Sequence, residues 1–231
     1  MKESKFAKNF RQLRMDLKEM TFGQKVEHIW INFKEYILVF LVCSLAIGGF
    51  LYSILRTEKE VLLCGTVLNT DISAEGLDYI STDYFDFVGG NSKTQEVQVS
   101  SSYFKVKGSR QELDYSYNVF SRVTSMASAN MLDYLITDEL ALSAFIQEEI
   151  YLDLTEIFSE AEMAEFASQE RVIYAQPEGG GKYPIAINLE GTGFARKYLK
   201  GGGPYYISFI TTSPRRNSFH GFWEYLQKTI E

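Results

Sequence analysis

The sequence predicts an α/β protein, with one N-terminal transmembrane helix followed by a single three-layer α/β domain whose sheet is mainly parallel. Three observations lead there. Tyr36 to Leu55, YILVFLVCSLAIGGFLYSIL, runs for twenty residues without a charge. Beyond it, short β-branched apolar runs alternate with segments whose apolar residues recur at helical spacing, the pattern of helices packed on a mainly parallel sheet. No internal repeat or long low-complexity tract breaks the series.

At about 1.5 Å of rise per residue the uncharged run gives a helix of roughly 30 Å, the thickness of a bilayer's hydrocarbon core. A buried core helix would normally keep a polar face, and a cleaved signal peptide would have a shorter apolar region nearer the N-terminus. Gly48, Gly49 and the flanking Trp30, Tyr36 and Tyr52 suit a span with aromatic residues at its interfaces. The chain then divides into residues 1–35, 36–55 and 56–231. Eight Lys and Arg precede Tyr36, whereas only Arg56 and Lys59 lie in the twenty residues after Leu55. Because the positive side stays in the cytoplasm, the expected topology is a single pass through the cell membrane with the C-terminal domain outside.

In the first part, Phe6, Phe10, Leu13, Leu17 and Met20 draw an apolar stripe along a helix whose other faces carry Lys2, Lys5, Lys8, Arg11, Arg14 and Lys18. Such a basic amphipathic helix can lie on the lipid of an anionic inner leaflet or dock on a partner helix, and the charge favours lipid. A second helix starts at Thr21, where a hydroxyl followed three residues later by Gln24 forms a capping box. It continues through His28, an interfacial anchor, into the span.

The outer domain opens with EVLLCGTVLNT (Glu60 to Thr70) as a first strand and AEGLDYISTDYFDFVG as a short helix. TQEVQVSSSYF alternates as a second strand. LDYSYNVFSRVTSMASA is a helix with Tyr117, Phe120, Val123, Thr124 and Ala127 on one face, and LDYLIT is a third strand. Helices over Leu140 to Ile146 and Glu160 to Ala167 follow, the latter introduced by Ser159. YPIAINL and YYISFITTS are further strands, and SFHGFWEYLQKTI closes the chain with Phe219, Phe222, Trp223 and Leu226 on its inner face.

Composition excludes several functions. From Thr57 on there are 25 acidic against 14 basic residues, which is unfavourable for nucleic acid. Cys43 in the span and Cys64 in an apolar run cannot form a disulfide together and have no metal spacing. His220 is the single histidine after the span, and no G-x-S-x-G elbow occurs, so hydrolytic triads and zinc sites lack parts. The two glycine triplets precede strand-like runs rather than helices and read as loops. GTGFARKYL could open a helix, a weak anion signal. The carboxylates Glu148, Glu149, Asp153, Glu156, Glu160 and Glu162 lack calcium-loop spacing and read as a solvated face. We expect no enzyme, cofactor or metal.

One stretch carries more. VQVSSSYF, then VFSRVTSMASANMLDYLIT, then DELALSAFIQEEIYLDLTEIF and YPIAINL form a series of strand, helix, small-residue loop, aspartate, apolar strand, helix and returning strand. Over Val97 to Leu189 this series resembles the type II extracellular solute-binding proteins of transporters, with Asn130 where that family commonly has glycine. Asp133 should hold backbone N–H groups as the chain enters the third strand, and Asp138 should cap the next helix. The resemblance implies a periplasmic-binding-protein-like half. A complete member has a second lobe inserted after the strand matched by YPIAINL, and EGTGFARKYLKGGGP cannot form one.

Two functions are therefore expected: an accessory protein bound to another membrane protein, such as an ABC-type transporter, or a tethered sensor of a small molecule or peptide. A sensor would bind at the carboxyl ends of its strands, near Asn69, Thr70, Ser101, Ser102, Thr137, Asp138, Asn188 and Thr212.

Overall fold

The computed structural model describes residues 21–55, 59–105, 107–177, 180–201 and 203–228. The amphipathic stripe from Phe6 to Met20 lies outside the described residues. The chain falls into two compact units, Met1–Thr57 and Glu58–Glu231.

Among the described residues the first unit contains one helix, α1 (Phe22–Leu55). Gln24 begins it as the spacing predicts, its side-chain oxygen accepting from the Thr21 N–H at 3.0 Å and from the Thr21 hydroxyl at 3.0 Å. Lys34–Leu51 has a mean hydropathy of 1.8 and none of it is buried. By length and composition this helix is able to cross a membrane.

The second unit is a mixed α/β domain. Its strands are β1 (Glu60–Leu68), β2 (Gln95–Ser102), β3 (Tyr134–Thr137), β4 (Val172–Ala175), β5 (Tyr183–Asn188) and β6 (Tyr206–Phe209). They make one sheet in the order β2-β1-β3-β6-β5-β4. Only β2, β1 and β3 are mutually parallel, and the β3–β6, β6–β5 and β5–β4 pairs are antiparallel. The expectation of a mainly parallel sheet is thus corrected. A parallel crossover needs a dozen residues or more, and the short connection from Ala175 to Tyr183 permits only an antiparallel partner. The strand β4 was not foreseen, because four residues leave too short a run for periodicity to declare itself.

Helices cover both faces of this sheet. On one lie α2 (Ala74–Asp78), a π-helical turn (Tyr79–Asp83), α3 (Tyr84–Phe87), α6 (Glu160–Ser168), α7 (Gly193–Tyr198) and α8 (Phe219–Gln227). On the other lie α4 (Arg110–Ser128) and α5 (Glu139–Ala144). Each face has its own core. Ile80, Tyr134, Phe194, Phe209 and Trp223 belong to the first, and Val123, Leu135, Leu142, Phe145 and Ile185 to the second. As an inner strand, β1 has two buried faces, with Leu63 and Val67 in one core and Leu68 in the other. Gly65 is required there, since a Cβ would occupy the place of the Tyr134 ring.

Local chemistry starts and stops the helices. Ser109 and Ser159 form reciprocal capping boxes with Glu112 and Glu162, satisfying N–H groups that have no partner within the helix. Asn130, with φ of 59°, ends α4 in the left-handed region that glycine usually fills. The predicted inner face of α4 holds for Val123, Ala127 and the partly buried Phe120 and is corrected in its earlier turns. Ser116, Val119, Val123 and Ala127 are buried, while Tyr117 is 71% exposed. In α8 all four predicted inner residues are buried, and the Trp223 ring stands edge-on to Phe158 and Phe166 at 6.1 and 5.5 Å.

Candidate functional site

Pairing register brings one row of residues to the carboxyl edge of the parallel strands: Ser102 opposite Leu68, Leu68 opposite Thr137, Thr137 opposite Tyr206, and Tyr206 opposite Asn188. Asn69, Thr70, Ser101 and Asp138 flank this row. Thr212 does not. It follows β6, which runs antiparallel to β3, and so lies at the opposite edge, where its hydroxyl donates to the Ala127 carbonyl at 2.5 Å.

Asn69 leaves β1 in the left-handed region, with φ of 57°. Its amide nitrogen donates to both oxygens of Asp138, at 3.1 and 3.2 Å, and its oxygen accepts from the Phe104 N–H at 2.5 Å. Asp138 caps α5 as expected, accepting from the Ala141 N–H at 2.8 Å. Asn69 and Asp138 therefore tie three chain segments together and use most of their bonding capacity doing so. Ser102 accepts from the Arg122 guanidinium at 2.8 Å, and Ser101 is exposed. Asn188 accepts from the Glu190 N–H at 2.8 Å through its side chain, and its carbonyl receives Arg171 at 2.9 and 3.1 Å. That guanidinium also lies over Trp223, 5.3 Å from the ring centroid, where it is held between polar and aromatic groups.

Two hydroxyls near this edge stand apart. Thr70 and Thr137 are buried, and their hydroxyl oxygens have no hydrogen-bond partner. Two open hollows lie beside the connection between β5 and β6. One, of about 630 Å³, is bounded by Asp138, Leu140, Ser143 and Pro204. The other, of about 540 Å³, is bounded by Glu190, Arg196, Leu199 and Tyr205. Sequence reasoning did not place residues 190–205 in the site, although the glycines before Pro204 marked a loop there.

The amino edge is built differently. Asp133 is fully buried, and its carboxylate accepts from the Cys64 N–H at 2.6 Å, the Ser213 hydroxyl at 2.5 Å and Arg215 Nε at 2.7 Å. The backbone grip foreseen for Asp133 is present, and the chain adds a cation that the sequence reading missed. Burial pushes the Cys64 thiol up to about 11, with the Asp133 charge adding to the rise and Arg215 opposing it. A thiol so protonated is a poor nucleophile. Burial likewise pushes the Tyr84 phenol up to about 12.

His220 accompanies Glu162, with Nε2 at 2.7 Å from Oε1. Hydrogen bonds from Ser159, then from His220, hold the Glu162 carboxyl down at about 2. This constellation caps α6 and presents no nucleophile. Among the described residues, no group of His, Cys, Asp and Glu is arranged to hold a metal ion. Comparison of the chain with protein-family models, curated proteins and solved structures finds no match in any of the three.

Proposed function

We propose that the chain is a membrane-anchored interaction or accessory protein whose domain stands outside the cell membrane and docks on another membrane protein, with an ABC-type transporter as the class suggested by the solute-binding resemblance. The observation that carries this reading is the connection from Leu189 to Tyr205. It leaves β5 and returns to β6 at one sheet edge, where Asn188 and Tyr206 are paired. In the two-lobed proteins that this sequence resembles, the second lobe is inserted at that point, whereas here the connection holds α7 and a glycine loop.

The hollows beside it are open to solvent. A small ligand resting in either would keep much of its hydration, and small-molecule affinity rests on enclosing most of the ligand surface. An open platform suits a protein partner better. The bare apolar surface of α1 and the Lys and Arg preceding Tyr36 support anchoring with the N-terminus in the cytoplasm. The second reading, a sensor of a small molecule or peptide, draws on the unpartnered hydroxyls of Thr70 and Thr137.

The test is purification of the full-length protein from its native membrane in mild detergent, with mass spectrometry of what accompanies it. A stoichiometric multi-span transporter subunit is the expected result. A chain that purifies without a membrane subunit, and whose melting temperature rises with an added solute, overturns the accessory reading in favour of the sensor.

A further inference from the structure

The two outer strands of the sheet are protected very differently. The strand β4 has four residues and an irregularity between Ile173 and Tyr174, features that discourage further pairing. At the other end, β2 has eight residues, QEVQVSSS, without proline or lysine. The carbonyls of Thr94 and Ser102 accept from the N–H groups of Glu60 and Asn69, so the even-numbered residues turn their backbone groups toward β1. Val97, Val99 and Ser101 turn theirs away, and Val97 and Val99 line a hollow of about 590 Å³ whose walls include Leu77 and Asp78 on one sheet face and Arg122 and Met126 on the other.

We infer that this edge pairs with the same edge of a second copy, β2 antiparallel to β2 about a twofold axis at Gln98, joining two six-stranded sheets into one. The side chains fit that register. Gln98 meets Gln98, Val97 meets Val99, and Glu96 meets Ser100 of the second copy, so no like charges oppose each other. The outward backbone groups of Val97, Val99 and Ser101 then find partners.

Charge complementarity selects a second copy over an unrelated strand. Among the described residues, neither Arg122 nor Glu96 has an ion-pair partner, and the Glu96 carboxylate accepts from the Gln98 amide at 2.5 Å, which leaves its other oxygen for a cation. Arg122 is hydrogen-bonded to Ser102, whose side chain shares a sheet face with Ser100. The register sets Glu96 of the second copy opposite Ser100, diagonal to Ser102 and within reach of a long side chain. The twofold axis forms this contact twice.

The experiment uses the full chain in detergent with Cys43→Ser, so that the exposed thiol of α1 cannot cross-link. In that background Gln98→Cys places two thiols across the axis in non-hydrogen-bonded positions, about 4.5 Å apart at Cα. Oxidation should give a covalent dimer, whereas Ser100→Cys, which meets Glu96 of the second copy, should not. In parallel, Glu96→Arg and Arg122→Glu should each weaken dimerisation about tenfold in sedimentation equilibrium, and the two together should restore it. A chain that is monomeric at every concentration overturns the proposal. So does a dimer that neither cross-links nor responds to the charge exchange, which would assign association to another surface.

Discussion

Two carboxylates bracket β3, and they serve opposite ends of the sheet in different ways. Asp133 is fully buried and faces a guanidinium, a hydroxyl and a backbone N–H. Asp138 is only partly buried and faces an amide and a helix N-terminus. A buried charge is tolerable only when the surrounding groups replace the lost water, so Asp133 commits its neighbourhood to one rigid arrangement. Asp138 keeps access to solvent and makes no such demand. The amino edge is therefore the closed end of the sheet, and the edge carrying the hollows is its open end.

Removing Arg215 gives the largest expected effect on this contrast. Arg215→Ala leaves the Asp133 carboxylate buried without its cation and should cost about 3–5 kcal/mol in urea unfolding. At the carboxyl edge Asn69→Ala should cost about 1–2 kcal/mol, because alanine loses the bonds to Asp138 and Phe104 and resists the left-handed backbone. Asn69→Gly separates these causes by relieving only the backbone. A loss from Asn69→Ala equal to that from Arg215→Ala would remove the distinction between the two ends.

Thr137→Val should be neutral or stabilising by about 1 kcal/mol, since the hydroxyl it removes has no partner and burying such a group carries a desolvation cost. Clear destabilisation would mean that the hydroxyl is satisfied. The smallest effect concerns pH. The Glu162 carboxyl is held at about 2 against an ordinary 4.5. A depressed folded value stabilises above the unfolded one and is lost as pH falls through the folded one, so stability should decline from about pH 4.5 toward pH 2. The Glu162→Gln variant should flatten that decline by a modest amount, because the pair is substantially exposed to solvent.

The elements most legible in the sequence were those with strong local signals. The helix α1, the inner strand β1 and the inner face of α8 follow from runs and spacings inside one window. Ser159 before α6, and Asp138 before α5, follow from capping chemistry, whereas Glu162, read as part of a solvated face, closes the capping box of α6. Sheet direction was less legible, because β6 pairs with β3 across some seventy residues and nothing local records that choice. The misplaced first turns of the α4 inner face have a related cause. Tyr117 resembles a core residue by type, yet Ser116 is the one buried, its hydroxyl bonded to the Glu112 carbonyl and the Lys105 N–H. At the candidate site, Asn69 and Asp138 were each identifiable, but their mutual contact and the cation beside Asp133 depend on tertiary placement.

The position of β1 also has a mechanical consequence. This first strand of the domain follows α1 closely in the chain and is hydrogen-bonded on both sides, to β2 and to β3. Tension arriving through Glu60 acts along the strand. The bonds to its neighbours lie across that direction, so they are loaded together in shear instead of opening one after another. Force applied to the domain through α1 thus enters it at a strand held on both sides.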